Sequence, residues 1–268
     1  MKVCRIVDEY DNKEVGYLLY YKRSDSFSVE ISPELSAADA TLFLEYFVEK
    51  GILSLDSEWS RRWVEARIVP RDRQNLGIIL KDNGLSHYDA FRLLVLAEGR
   101  CAQDDCAVFQ IKPETMPEWL RERLSKRIDF VHAIEPSELV LMFRDETIWR
   151  VDIGIDMEED GMLGAYLAKP GVFSCAELLP GGTGVTWNGY VDIPAWALSG
   201  RGERLPLTCS EFGSMVKKFV MDTSEVCDEL ECSRQYVNQL VKESDLSVLK
   251  ESNNARLYAR SEVDRIRD

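Results

Sequence analysis

The sequence predicts an α+β protein in which helices pack on small antiparallel sheets. Three observations lead there. Short apolar runs of strand length fall in adjacent groups joined by polar turns, as hairpins and meanders do. Between these groups apolar residues recur at helical spacing. The last fifth, Thr223 to Ile266, reads as two short helices, a hairpin and a third helix. At 268 residues the chain suits two or three domains, each able to bury its own core. The expected parts are 1–112, 125–207 and 210–268.

The first part opens with three strand-like runs, Lys2 to Val7, Val15 to Tyr21 and Phe27 to Ile31. Their connections are polar, so a three-stranded meander is the simplest arrangement. Ser36 then opens a helix with Ala40, Phe43, Leu44, Phe47 and Val48 on one face, ended by Gly51. Next comes a stretch with Arg61, Arg62, Arg67, Arg71 and Arg73 within thirteen residues, and with Trp59 and Trp63 one helical turn apart. Two readings stay open. As an anion patch, the arginines contact phosphate and the tryptophans offer stacking faces. As ordinary structure, the tryptophans are core and the arginines pair with Glu58, Glu65 and Asp72. Helices at Asn75 to Lys81 and Tyr88 to Ala97 follow. Glu98 to Asp105 is a polar loop with carboxylates, an arginine and a thiol but no evident base and nucleophile pairing, and Glu118 to Leu124 is a short amphipathic helix.

The middle part shows strand signals at Ile128–Ile134, Leu139–Phe143 and Ile148–Ile153, with Arg144 to Thr147 as a hairpin turn. Leu163 to Leu167 is helical. Pro180 to Gly184 turns into the strand Val185 to Trp187, Asn188-Gly189 is a strong hairpin signal, and Val191 to Ile193 returns. The glycines do not make a phosphate loop, because no Lys-Ser/Thr follows them. On Leu139-Val-Leu-Met-Phe-Arg-Asp-Glu-Thr147, Val151-Asp-Ile153, Val172-Phe173 and Gly184-Val-Thr-Trp-Asn-Gly-Tyr-Val-Asp-Ile-Pro194, this part resembles the bacterial family called domain of unknown function 2442. The resemblance implies a small α+β domain without assigned catalytic residues, often linked to helix-turn-helix domains or encoded beside a toxin. Glu146 stands where that family usually places Gly, which implies a different turn.

In the last part Thr223 is the expected N-cap of a helix carrying Val226 and Leu230, and Ser233 that of a second helix. Tyr236, Val237, Leu240 and Val241 are its expected buried stripe. That leaves Arg234, Gln235, Asn238, Gln239 and Lys242 facing out. Arg can bind guanine, and Asn or Gln adenine, through two hydrogen bonds on the major-groove edge. A Ser-capped helix N-terminus and Lys242 suit phosphate oxygens. Leu246 to Lys250 and Arg256 to Tyr258 form a hairpin about Ser252-Asn253-Asn254, and Ser261 caps a last helix. Ser233-Arg-Gln-Tyr-Val-Asn-Gln-Leu240 and Arg256 to Ile266 resemble the winged helix-turn-helix of the MerR and excisionase superfamily. The resemblance implies that the second helix enters the major groove and the hairpin touches backbone. Ser233, Arg234, Gln235, Asn238, Gln239, Lys242, Asn254 and Arg256 are thus the expected DNA-binding residues.

Composition bounds these expectations. The net charge of −14 argues against non-specific adhesion to nucleic acid or membrane, so DNA binding would be local and salt-sensitive. No apolar run approaches a membrane span and the N-terminus lacks a signal pattern. The seven cysteines are scattered and read as reduced, cytoplasmic thiols. Cys101 and Cys106 lack a second pair of ligands, and His87 and His132 are the only histidines, so neither a metal site nor another cofactor is expected. No base or metal set accompanies the arginines, so no enzyme is expected. The leading expectation is a sequence-specific regulator that binds double-stranded DNA, of an antitoxin type, acting as a homodimer, with the first two domains binding a protein partner or mediating dimerisation. The other is an acidic interaction module that neutralises a toxin or serves as a scaffold.

Overall fold

The computed structural model describes residues 1–252 and 255–267. The chain forms two compact units, Met1–Asp145 with Arg150–Gly202, and Glu146–Trp149 with Glu203–Asp268. Both are of the α+β class, with small antiparallel sheets.

The first unit begins with the meander β1 (Lys2–Asp8), β2 (Lys13–Tyr21) and β3 (Ser26–Ile31). A fourth strand that the sequence reading missed, β4 (Cys106–Ile111), pairs antiparallel with β1, giving the order β3-β2-β1-β4. Alternate residues of β2 serve two cores, since successive side chains point to opposite faces. Leu18 and Tyr20 face the larger one, with Val29, Leu44, Trp63 and Leu94. Tyr17 and Leu19 face the smaller, with Val3, Leu120 and Leu124. Close strand packing requires Gly16, where a Cβ would lie 2.2 Å from the Glu30 carbonyl oxygen.

Helices α1 (Leu42–Glu49), α2 (Ser57–Glu65), α3 (Leu76–Asp82) and α4 (Ala90–Leu96) follow β3 in the chain, and α5 (Glu118–Ser125) follows β4. The helix expected from Ser36 is broken. A 3-10 turn at Ala37–Asp39 precedes α1, whose own N-cap position is Thr41. Within this unit lie β5 (Ile128–Ile134), antiparallel to β6 (Glu138–Phe143), then β7 (Thr147–Asp152), whose first half belongs to the other unit. Helices α6 (Gly154–Glu159) and α7 (Gly161–Leu167) precede a three-stranded sheet in the order β10-β9-β8, made of β8 (Ala176–Leu178), β9 (Gly184–Trp187) and β10 (Val191–Pro194). Asn188 (φ 56°) and Gly189 (φ 69°) turn this hairpin, and Tyr190 joins the loop because Val191 pairs with Trp187. A short α8 (Ala195–Leu198) ends the unit.

One buried carboxylate organises the centre of the first unit. Glu30 in β3 has no solvent exposure. It forms an ion pair with Arg127, and Arg123 Nη1 lies 3.5 Å away. The hydroxyls of Ser28 (2.8 Å) and Ser54 (2.6 Å) donate to its two oxygens. Arg123 also donates to the carbonyls of Ile31 and Leu53, both at 2.8 Å.

The second unit holds β11 (Glu203–Thr208), α9 (Cys209–Phe219), β12 (Val220–Asp222), α10 (Thr223–Glu229), α11 (Arg234–Lys242), β13 (Val248–Ser252), β14 (Ala255–Ala259) and α12 (Arg260–Arg267). Its sheet runs β12-β14-β13. Met221, Val226, Val237, Leu240, Leu246, Tyr258 and Val263 form its core. Glu146 lies at φ 65°, in the left-handed region that favours glycine. Its carboxylate accepts from the Ser210 backbone (2.9 Å) and hydroxyl (2.7 Å), so the side chain that strains the turn also satisfies the start of α9.

Among the described residues, no helix is long and apolar enough to cross a membrane, and no group of three or more His, Cys, Asp or Glu is placed to hold a metal ion. Removing Glu30 would leave the buried Arg127 and the half-buried Arg123 without their counter-charge. Glu30→Ala is therefore expected to destabilise the protein by about 3–5 kcal/mol in urea unfolding. A loss below about 1 kcal/mol would show that the site admits water.

Candidate nucleic-acid interface

The site is built on α10, α11 and the β13–β14 hairpin. Asp222, not Thr223, caps α10. Its carboxylate accepts from the backbone of Ser224 (2.7 Å) and Glu225 (2.9 Å), and Glu225 accepts from the Asp222 backbone (2.7 Å). Both residues can cap, but only Asp222 has a Glu three positions later to complete the reciprocal box. The turn after α10 bonds Cys232 N–H to the Cys227 carbonyl (2.9 Å) and Glu231 N–H to that of Asp228 (3.4 Å). This is a Schellman ending, with Glu231 at φ 47° in the position glycine usually takes.

Ser233 then starts α11, its hydroxyl accepting from the Tyr236 backbone at 3.3 Å. Val237 and Leu240 are buried and Val241 packs beside them. Tyr236, expected in that stripe, is 46% exposed instead. It sits about 100° around the helix from Val237, beyond the contact with the small core. Arg234, Gln235, Asn238, Gln239 and Lys242 are all exposed. Arg234 Nη2 donates to the Ser224 hydroxyl (3.0 Å), holding its guanidinium at the junction of the two helices. Gln239 donates to Glu243 (2.8 Å) along the helix.

The hairpin stands beside this face. Arg256 Nη1 donates to Asn238 Oδ1 (2.9 Å) and its Nε donates to Glu251 (2.7 Å), clasping the hairpin to the middle of α11. Asn254 lies outside the described residues. Ser261 falls inside α12, which begins at Arg260, so it does not cap from outside. Arg260 Nε bonds the Lys218 carbonyl (2.9 Å), and Glu262 accepts from the Ser247 backbone (2.7 Å), fixing both ends of the hairpin.

Charge on the unit is uneven. From Cys209 onward there are 9 Lys and Arg against 12 Asp and Glu. Between Cys232 and Arg260 there are 5 against 3, so α11 and the hairpin are its basic part. Chemically, Asn238 offers an amide and Arg234 a guanidinium on one solvent-facing side of α11, with the Arg256 cation next to them. To bind adenine through both amide atoms, Asn238 must release Arg256 from its oxygen. That arginine is then free for a phosphate.

The five arginines of the expected anion patch are engaged one by one. Arg61 bonds Asp25, Arg62 pairs with Glu58 (2.5 Å), and Arg73 donates to Asn75 (3.0 Å). Arg71 lies 4.4 Å over the Tyr88 ring. Arg67 is 4% exposed, stacks 3.7 Å over Trp63 and pairs with Asp104, so it offers nothing to an external anion. Trp63 is core, whereas Trp59 is partly exposed and packs edge-on against Phe43 and Phe47. Trp59 borders a cleft of about 640 Å³ with Tyr46, Arg123, Lys126 and Trp196. Its cations are already committed to Glu30 and Asp145.

One feature went unread in the sequence. Phe212, Met215, Val216 and Phe219 line the exposed face of α9. Their i, i+3, i+4, i+7 spacing after Thr208-x-x-Glu211 was the available signal.

Replacing Glu231 by Gly relieves the left-handed strain at the α10–α11 turn. We expect Glu231→Gly to raise stability by about 0.5–1 kcal/mol, and Ser233→Ala to lower it by about 1 kcal/mol, both read by thermal melting. A Glu231→Gly protein that melts lower than the parent would show that the Glu231 side chain has a favourable contact. Comparison with protein-family models, with curated proteins and with solved structures returns no match.

Proposed function

We propose that the chain is a sequence-specific DNA-binding regulator, without catalytic activity, whose second unit acts as a winged helix-turn-helix. In this reading α11 enters the major groove, Arg234, Gln235 and Asn238 meet base edges, and Lys242 and Arg256 meet phosphates. The observation that carries it is the α11 face. A helix capped at its N-terminus leaves Arg, Gln and Asn exposed together, beside a hairpin cation already within reach. The resemblances to the MerR and excisionase superfamily and to the domain of unknown function 2442 point the same way. They add the proposal that the first unit binds a protein partner, such as a toxin, and that the regulator is a cytoplasmic homodimer on a two-fold site.

The second reading is an acidic interaction module that does not bind DNA. The net charge of −14 favours it, as do the intramolecular bonds that Asn238 and Gln239 already make.

Selection from random duplex DNA at low salt separates the two. A DNA reader enriches one motif, and Arg234→Ala/Asn238→Ala loses it, because each lost bidentate contact removes about 1–3 kcal/mol of discrimination. No enrichment by a folded sample sinks the reading. On the selected site, Lys242→Ala is expected to weaken binding evenly across sequences and to reduce the salt slope by about one. An unchanged slope would remove Lys242 from the phosphate contacts.

A further inference from the structure

The apolar face of α9 has no use in the reading above. The helix spans Cys209–Phe219 and buries none of its residues. Phe212 is 41% exposed, Met215 57%, Val216 38% and Phe219 47%. With Lys218 they line one shallow groove. Four large apolar side chains on one face of a solvent-facing helix form a continuous stripe, unlike the scattered single residues normal on a surface.

The charges beside the stripe say what covers it. Seven residues, close to two helical turns, separate Phe212 from Phe219 and also Glu211 from Lys218. The two phenylalanines therefore share a face, and the Glu and Lys share one flank of it, at opposite ends. When two helices pair antiparallel across a two-fold axis, each flank meets the same flank of its partner helix running the other way. Glu211 of one copy then meets Lys218 of the other, twice. A parallel pairing would instead crowd Lys217 and Lys218 of both copies together at one end. Antiparallel pairing also sets the helix dipoles head to tail. The Glu211 carboxylate is fit for the role. Hydrogen bonds from the Thr208 backbone (2.8 Å) and hydroxyl (2.9 Å) hold it below the usual carboxylate range, so it remains charged.

We propose that this face of α9 docks a second copy of the chain, the two helices lying antiparallel about a two-fold axis with Glu211 of each against Lys218 of the other. The inference deepens the DNA reading, which calls for paired half-sites, by naming the surface that pairs them. Helix α9 runs directly into β12 and then α10, so the pairing would also set the separation of the two reading helices. One short helix face is smaller than the roughly 800 Å² per partner of a standard interface, which puts the expected affinity in the micromolar range or weaker.

Sedimentation equilibrium of the full chain, from about 1 to about 500 µM, tests this without DNA. The mass is expected to rise from one chain to two across that range. Phe212→Ser/Phe219→Ser replaces two half-exposed rings that belong to no buried core and is expected to stay folded, by circular dichroism, and monomeric throughout. Lys218→Glu and Glu211→Lys are each expected to be monomeric alone and to dimerise when mixed, because the mixed pair restores both charge contacts. Where Glu211→Lys weakens α9 by losing its cap, the phenylalanine variant carries the test. A wild-type chain that is monomeric at every concentration overturns the proposal. So does a dimer that survives both phenylalanine substitutions. A monomer at every concentration would also remove the free homodimer from the proposed function, but base recognition by α11 is tested separately by the base-selection experiment.

Discussion

A carboxylate sealed from water at Glu30 sets the terms for much of the first unit. An ionised carboxylate in such a place needs opposite charge and hydrogen bonds on both oxygens. Arg123 and Arg127 bring the charge from the end of α5 and the start of β5, and Ser28 and Ser54 complete the bonds. Arg123 goes further, taking carbonyls of the chain leaving β3 and of the segment before α2. Three stretches distant in sequence thus meet at one group. Apolar packing alone would fill this space without fixing how the helix end, the loop and the strand are aligned.

Among its described residues the second unit shows no buried charged group like Glu30, and it relies on local signals. Its helices α10 and α11 are seven and nine residues long, too short to persist alone in water. Each begins on a side-chain cap, and α9 has a capping box at Thr208 and Glu211 as well as the Glu146 carboxylate. The caps fix where each helix starts, and the small core around Val237 and Tyr258 holds them together. The exposed polar face of α11 is then a remainder, set by which side the core takes.

What could be read from the sequence follows the same division. The three-strand meander, the Asn188-Gly189 hairpin and the Ser233 cap are local patterns, and each lies where its pattern points. Asp222 was missed because Thr223 also caps helices, and the deciding residue was Glu225. Tyr236 was misread because a helical stripe has a width, and the core behind α11 is too narrow to use all of it. The non-local matches were out of reach. Arg62 pairs with Glu58 one turn away, as helical spacing allows. Asp25 for Arg61, Asp104 for Arg67 and Glu30 for Arg127 are partners that only the folded chain brings near. Strand β4 escaped because half of it, from Phe109 to Ile111, is not buried, which blurs the apolar run that marks a strand.

If α11 reads DNA as proposed, the bond between Arg256 and Asn238 has a consequence for its search. An amide with both ends free would snag on any polar groove and slow the protein at every wrong sequence. Here the oxygen is already occupied, so a passing base must offer more than the arginine does before the amide turns toward it. Most encounters would leave the pair closed, and the protein would move on. Only a register that supplies adenine to the amide and a phosphate to the departing guanidinium satisfies both partners at once. The pair would then act as a latch, trading some strength of grip for a faster passage over sites that do not match.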